Sequence, residues 1–223
     1  MSRAVCNLGL TGLDDPQVIE LYESIGARNY GLGVSLGIKL AEFEMLLDEL
    51  WSDQGPASAI DFGCATGLLP VFLRKHGLVE EMAGLDGCQC YIEAGQELCE
   101  QEGTDVKFIN SYANKAPLAD MSYDVAYCID LLDCSRNWRS IVKEMTRVAR
   151  QKVIVIYTMT SLFRRIDPLD VLNEISEAMV VDPPRYFNPA PLRNDGRVCT
   201  VITATRKGQT EDSNKLVIAR ATI

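Results

Sequence analysis

Hydrophobic positions recur along this chain in two rhythms, and the change between them divides it. Near the N-terminus the rhythm is helical. Asp15-Pro16 reads as an N-cap with proline at the first helical position, opening a helix through Val18, Ile19, Leu21 and Tyr22 that Gly26 closes. Beyond the glycine-spaced link Asn29-Tyr30-Gly31-Leu32-Gly33, the residues Leu36, Leu40, Phe43, Leu47 and Leu50 fall on one face of a second helix. From Ala59 onward short apolar runs alternate with helical stretches. The predicted strands are Ala59–Phe62, Met82–Asp86, Val106–Asn110, Ser122–Asp130 and Lys152–Tyr157. Between them lie a helix from about Gly67 to His76 with Gly77 as its stop, a helix through Tyr91, Ala94, Gly95 and Leu98, and one through Trp138, Ile141, Val142, Met145 and Val148. Such alternation predicts a parallel sheet with helices on both faces. Asp167-Pro168 opens a further helix through Leu172, Ile175 and Met179. Two terminal β runs, Val198–Ala204 and Leu216–Ala219, predict an antiparallel hairpin.

The junction after the first of these strands carries the candidate chemistry. Asp61-Phe62-Gly63-Cys64-Ala65-Thr66-Gly67 reads as strand end, tight turn and helix start. Glycines suit a sharp reversal that lets a ligand approach bare backbone, and the amides of the following helix then face that ligand. A dinucleotide turn is spelled G-x-G-x-x-G. Here the spelling is Asp-x-Gly-x-Ala-x-Gly, and a carboxylate ahead of the first glycine suits an ammonium or sulfonium cation better than a pyrophosphate.

This run resembles the first motif of the class I S-adenosylmethionine-dependent methyltransferases, with Ala65 at the middle glycine. The rest of the strand and helix series arrives in that family's order. The resemblance implies an α/β, Rossmann-like, seven-stranded and mostly parallel sheet, with helices on both faces and a C-terminal antiparallel hairpin. Residues 1–54 would be a helical lid and 55–223 the core, with a helical insertion near 167–180. It also implies S-adenosylmethionine as cofactor. Asp61 would hold the methionine end, Gly63, Cys64, Ala65 and Gly67 the turn, and Asp86 the ribose, with Gly87 beside it. Tyr91 would pack on adenine, next to Ser111 and Tyr112, where the family's usual aspartate is replaced by Ser111. Cys128 lies near the transferred methyl, and Tyr22 and Tyr30 reach the site from the lid. Asp130, Asp133 and Tyr157 are the catalytic candidates, placed near strand ends where open α/β sheets bind ligands.

Length and composition narrow the choice. At 223 residues the chain reads as one domain. A hydrophobic fraction of 47% and a charged fraction of 24% are those of a globular protein. No apolar run has the length of a membrane span and the N-terminus lacks a signal-peptide core, so a cytoplasmic location without membrane partners is expected. A formal net charge of -9 disfavours nucleic acid. The best basic cluster, Arg136, Arg139, Lys143, Arg147, Arg150 and Lys152, reads as a solvated helix face.

Eight cysteines without a secretion signal are expected to be reduced thiols. Cys88, Cys90 and Cys99 lack paired zinc spacing and His76 is the one histidine, so no metal is expected. Asp182-Pro183-Pro184-Arg185-Tyr186 echoes an adenine-methylation signature, but it does not follow the fourth strand. The expected function is transfer of a methyl group to a small-molecule acceptor. The alternatives are a protein or RNA methyltransferase and a non-catalytic binding subunit of the same fold; homodimerisation is left open.

Overall fold

The computed structural model describes residues 15–33, 36–51, 55–159, 166–187 and 198–207. Helix α1 spans Asp15–Gly33 and is interrupted at Gly26, whose φ of 71° and ψ of 154° are non-helical. Helix α2 is Leu36–Trp51. The alternating part follows as β1 (Ser58–Phe62), α3 (Leu68–Lys75), β2 (Glu81–Asp86), α4 (Gln89–Glu102), β3 (Lys107–Asn110) and β4 (Tyr123–Ile129). Then come α5 (Trp138–Val148), β5 (Ala149–Met159), α6 (Pro168–Ser176), β6 (Met179–Val181), β7 (Arg185–Phe187) and β8 (Val198–Arg206).

The sheet path runs β3-β2-β1-β4-β5-β8-β6, seven strands as expected, and an eighth, β7, pairs with β8 off that path. β1 to β5 pair in parallel, whereas β8 is antiparallel to β5, from Lys152 opposite Thr205 to Met159 opposite Val198. The expected Val198–Ala204 run lies inside β8; the run Leu216–Ala219 lies outside the described residues. The free edge of β8 is shared by β6 and β7, both antiparallel to it. Asp182-Pro183-Pro184 separates those two short strands, since two prolines cannot continue a ladder.

Side-chain alternation sends each strand's residues to two cores. On one face Ile60, Phe62, Cys128, Val155 and Tyr157 pack against Trp138, Ile141, Val142 and Met145 of α5 and Val171 and Ile175 of α6. On the other, Ala59, Tyr127, Ile154 and Ile156 meet Leu46 and Leu50 of α2 and Leu69 and Leu73 of α3. Helix α2 thus covers part of the sheet, and α1 packs on α4. Strand order reverses between β1 and β4, so the crevice beyond their carboxyl ends is where this architecture receives ligands.

Candidate functional site

The turn between β1 and α3 is built from three residues in the left-handed region: Gly63 (φ 77°), Ala65 (φ 48°) and Gly67 (φ 72°). Two of them have no room for a side chain. A Cβ on Gly63 would lie 2.9 Å from Leu131 Cδ1, and one on Gly67 would lie 2.4 Å from Phe108 Cζ. The Gly63 and Cys64 amides donate to Leu85 O at 2.7 and 3.1 Å, so the turn is tied to β2. Helix α3 starts without a side-chain cap, which leaves its first amides facing the crevice side of the turn.

Asp86, at the carboxyl end of β2, is the hinge of this arrangement. Its Oδ2 accepts from Ala65 N and its Oδ1 from Cys88 N, both at 2.9 Å. One carboxylate therefore joins the glycine turn to the N-terminus of α4. Burial pushes its pKa upward, while the amide bonds pull the other way. Two amides use about half of a carboxylate's acceptor positions, so Asp86 retains capacity for further donors. Ser111, just after β3, is held beside it by Ser111 N donating to Asp86 O at 3.0 Å; Tyr112 is exposed.

Asp61 is buried on β1, on the same face as Ala59. Cys64 is buried next to it, and burial first, then Asp61 and Asp86, push its thiol well above the ordinary value. That thiol is poorly suited to be a nucleophile. At the carboxyl end of β4, Asp130 has a φ of 54° and is anchored by its N–H to Ile156 O at 2.9 Å. Left-handed geometry at a non-glycine residue on a strand end marks a position held by its surroundings.

Helix α1 lies over this region. Ile19 sits against Gly87, where an added Cβ would be 2.1 Å from Ile19 Cδ1. Tyr91 OH donates to Tyr22 O at 3.3 Å, the two rings meet edge to face with centroids 6.3 Å apart, and Gln89 N donates to the Glu23 carboxylate. The Tyr22 hydroxyl reaches Cys134 Sγ at 3.5 Å, beyond β4. Tyr22 thus bridges the α4 side of the crevice and the β4 side.

The structure brings together Asp61, Gly63, Cys64, Ala65, Gly67, Asp86, Gly87 and Ser111, with Tyr22 and Tyr91 along the rim. Cys128 and Tyr157 belong to the core on the opposite sheet face, and the Tyr157 hydroxyl donates to Ile166 O at 3.3 Å. Asp133 lies in the short 3-10 helix Leu132–Cys134 and Tyr30 lies in α1, but the side chains of both are outside the described residues. Sequence reasoning took Ile19 only as an apolar helix position, set aside a thiol role for Cys134 and did not single out Glu23. The contacts of Ile19 and Glu23 depend on where α1 comes to rest on α4, which the helical period does not encode.

Other candidate features resolve locally. Arg139 and Lys143 pair with Glu174, Arg147 with Asp120 and Glu144, and Arg150 with Asp124, while Lys152 Nζ donates to Glu49 O. The basic series is therefore largely engaged within the molecule. Among the described residues no group of three or more His, Cys, Asp or Glu is placed to hold a metal. None of the described helices is long and apolar enough to cross a membrane.

Residues 60–157 match a family described as a methyltransferase domain. A search of curated protein sequences gives no match. Among solved structures, magnesium protoporphyrin IX methyltransferase from Synechocystis PCC 6803 with bound SAM aligns with a TM-score of 0.69 at 13% identity, over 87% of this chain and 98% of that one. The N-methyltransferase NodS from Bradyrhizobium japonicum WM9, in complex with S-adenosyl-l-homocysteine, aligns with a TM-score of 0.65 at 10% identity, over 85% and 98%. The 4+2 cyclase SpnF aligns with a TM-score of 0.62 at 13% identity, over 76% and 81%. Over residues 60–157 the chain is similar to the methyltransferase domain, and its fold is that of these methyltransferase structures.

Proposed function

We propose that the protein transfers the methyl group of S-adenosylmethionine to a small-molecule acceptor. The observation that carries this reading is the joint placement of the left-handed turn at Gly63, Ala65 and Gly67 and the Asp86 carboxylate that binds the turn's own backbone. The donor set suits the cofactor. Asp86 has acceptor capacity for ribose hydroxyls, Asp61 offers a negative charge for the ammonium end, and the uncapped start of α3 offers amides. Gly87, Ser111 and Tyr112 border the adenine side, and Tyr22 and Tyr91 close the rim from α1 and α4.

When bound, S-adenosylmethionine supplies an electrophilic methyl group on a sulfonium. The protein's contribution is chiefly orientation, holding the acceptor in line, worth several kcal/mol in well-ordered sites. Of the three base candidates, geometry favours Asp130. It lies at the crevice end of β4 in a constrained conformation, whereas the Tyr157 hydroxyl is buried and committed to Ile166 O. Asp133 stands one short helix beyond. The small-molecule acceptor is supported by the named activities of relatives such as NodS and the protoporphyrin enzyme. The net charge of -9 also supports it, together with the internal pairing of the basic series. A cytoplasmic setting and a homodimer accord with this reading. The SpnF alignment is a reminder that one fold serves several chemistries.

Calorimetric titration of the wild type and of Asp86→Ala with S-adenosylmethionine tests the proposal. Micromolar binding, weakened at least about tenfold, or ~1.4 kcal/mol, in the variant is the expected outcome. No binding by the wild type would refute the reading.

A further inference from the structure

Parallel register sets Tyr127 of β4 directly beside Asp61 of β1, so the two side chains leave the sheet on the same face. Both are withdrawn from water, with Tyr127 at 0% and Asp61 at 5% exposure. The layer around Tyr127 is otherwise apolar, formed by Val125, Ile154, Ile156 and Leu73. A phenol in such a layer introduces one polar atom that ordinarily requires a partner. Among the described residues its hydroxyl makes no hydrogen bond of ordinary geometry. The ionisable groups it faces are Asp61 and, at the root of the glycine turn, Cys64. Burial first, then those two groups, push the phenol well above its ordinary value, so it remains a neutral O–H donor.

We propose that Tyr127 is a positioning residue for the amino-acid end of the cofactor and acts through Asp61, an inference that rests on the methyltransferase reading above. A carboxylate on a short side chain can turn either edge toward a ligand. In the structure the two side chains share a face without a hydrogen bond of ordinary geometry; once the carboxylate turns toward a bound ligand, a donor fixed in the middle of β4 takes one oxygen and leaves the other aimed at the ligand's ammonium group. Phenylalanine at this position would keep the ring's packing and remove only the donor.

Two ligands separate this role from general support of the pocket. S-adenosylhomocysteine carries the amino-acid arm, and 5′-methylthioadenosine carries the same adenosine and sulfur without it. In Tyr127→Phe, S-adenosylhomocysteine should bind about tenfold more weakly, the loss expected for a hydrogen bond to a charged group. The affinity for 5′-methylthioadenosine should stay within about twofold of wild type. Asp61→Asn should show the same split. The double variant should bind no more weakly than Asp61→Asn alone, because residues acting in series do not contribute additively. Titration stoichiometry reports the folded fraction, so partial misfolding is visible and leaves the ratio of the two affinities intact. Equal losses for both ligands in Tyr127→Phe, no loss for either, or additive losses in the double variant would each overturn the inference. Wild-type protein that binds neither ligand would overturn the methyltransferase reading and this inference together.

Discussion

Asp124 and Asp86 are both carboxylates at the end of a central strand, at opposite ends of the same sheet. Asp124, near the amino end of β4, has every acceptor position filled. Its Oδ2 takes Ser58 N and Ser58 Oγ, each at 3.1 Å, and its Oδ1 takes Arg150 Nη1 at 2.8 Å and Gln151 Nε2 at 3.0 Å. Ser58 Oγ in turn accepts from Asp124 N at 2.9 Å. This acid locks the starts of β1, β4 and β5 and has no capacity left for a ligand. Asp86, at the carboxyl end of β2, spends two acceptor positions on main-chain amides. A saturated acid is a structural pin, whereas a half-used acid held by backbone is positioned for something else. The two ends of the sheet should therefore fail in different ways when mutated.

The largest effect is expected at the saturated end. Asp124→Ala leaves the buried Ser58 amide and hydroxyl without their acceptor and frees the Arg150 guanidinium from its partner. Urea denaturation should show a loss of about 3 kcal/mol, the range for breaking a buried, hydrogen-bonded charge. Affinity of the folded protein for S-adenosylmethionine should change by less than about twofold. A binding loss as large as that of Asp86→Ala would show that the two ends are not separable.

At the crevice end, backbone geometry should matter more than charge. Gly67 and Gly77 both have left-handed φ, at 72° and 65°, and flank the same helix, α3. A Cβ on Gly67 would meet Phe108 Cζ at 2.4 Å and Gly95 Cα at 3.2 Å, whereas one on Gly77 meets nothing within 4 Å. Gly77→Ala should therefore cost only the conformational penalty, about 1 kcal/mol. Gly67→Ala adds a clash in a packed layer and should cost about 2 kcal/mol or more, with weaker cofactor binding. Equal costs in paired melts would mean that the turn yields where the comparison requires it to be rigid.

The parts of this arrangement that were legible from sequence are those fixed by local pattern. In α5 the positions Trp138, Ile141, Val142, Met145 and Val148 share one helical face, and all are buried. The glycine turn was legible because left-handed backbone has few spellings. β6 and β7 were not legible as strands, since three residues are too short to show alternation. Nor could the partnership of Ser58 with Asp124, 66 residues apart, be read from the chain, because it depends on β1 lying beside β4. The same register decides that Tyr127 shares Asp61's face while Cys128 and Tyr157 lie on the other. The Ile19 contact on Gly87 is a tertiary accident of where α1 comes to rest, and no periodicity encodes it.

The smallest expected effect tests the one residue of the turn that departs from glycine. Ala65 holds a φ of 48°, and its N–H donates to Asp86 Oδ2 at 2.9 Å. An L-residue in that region costs about 1–2 kcal/mol relative to an unstrained conformation. Glycine removes that cost in the folded state but gives the unfolded chain more freedom, which returns about 0.5–1 kcal/mol of it. Ala65→Gly should therefore stabilise the protein by only about 0.5 kcal/mol. The amide that anchors Asp86 is untouched by the change, so cofactor affinity should hold. A marked loss of affinity would mean that the Ala65 methyl group, and not only its backbone, shapes the crevice. In that case the acid at this end would owe its placement to side-chain packing as well as to backbone amides, unlike Asp124, which hydrogen bonds hold at the other.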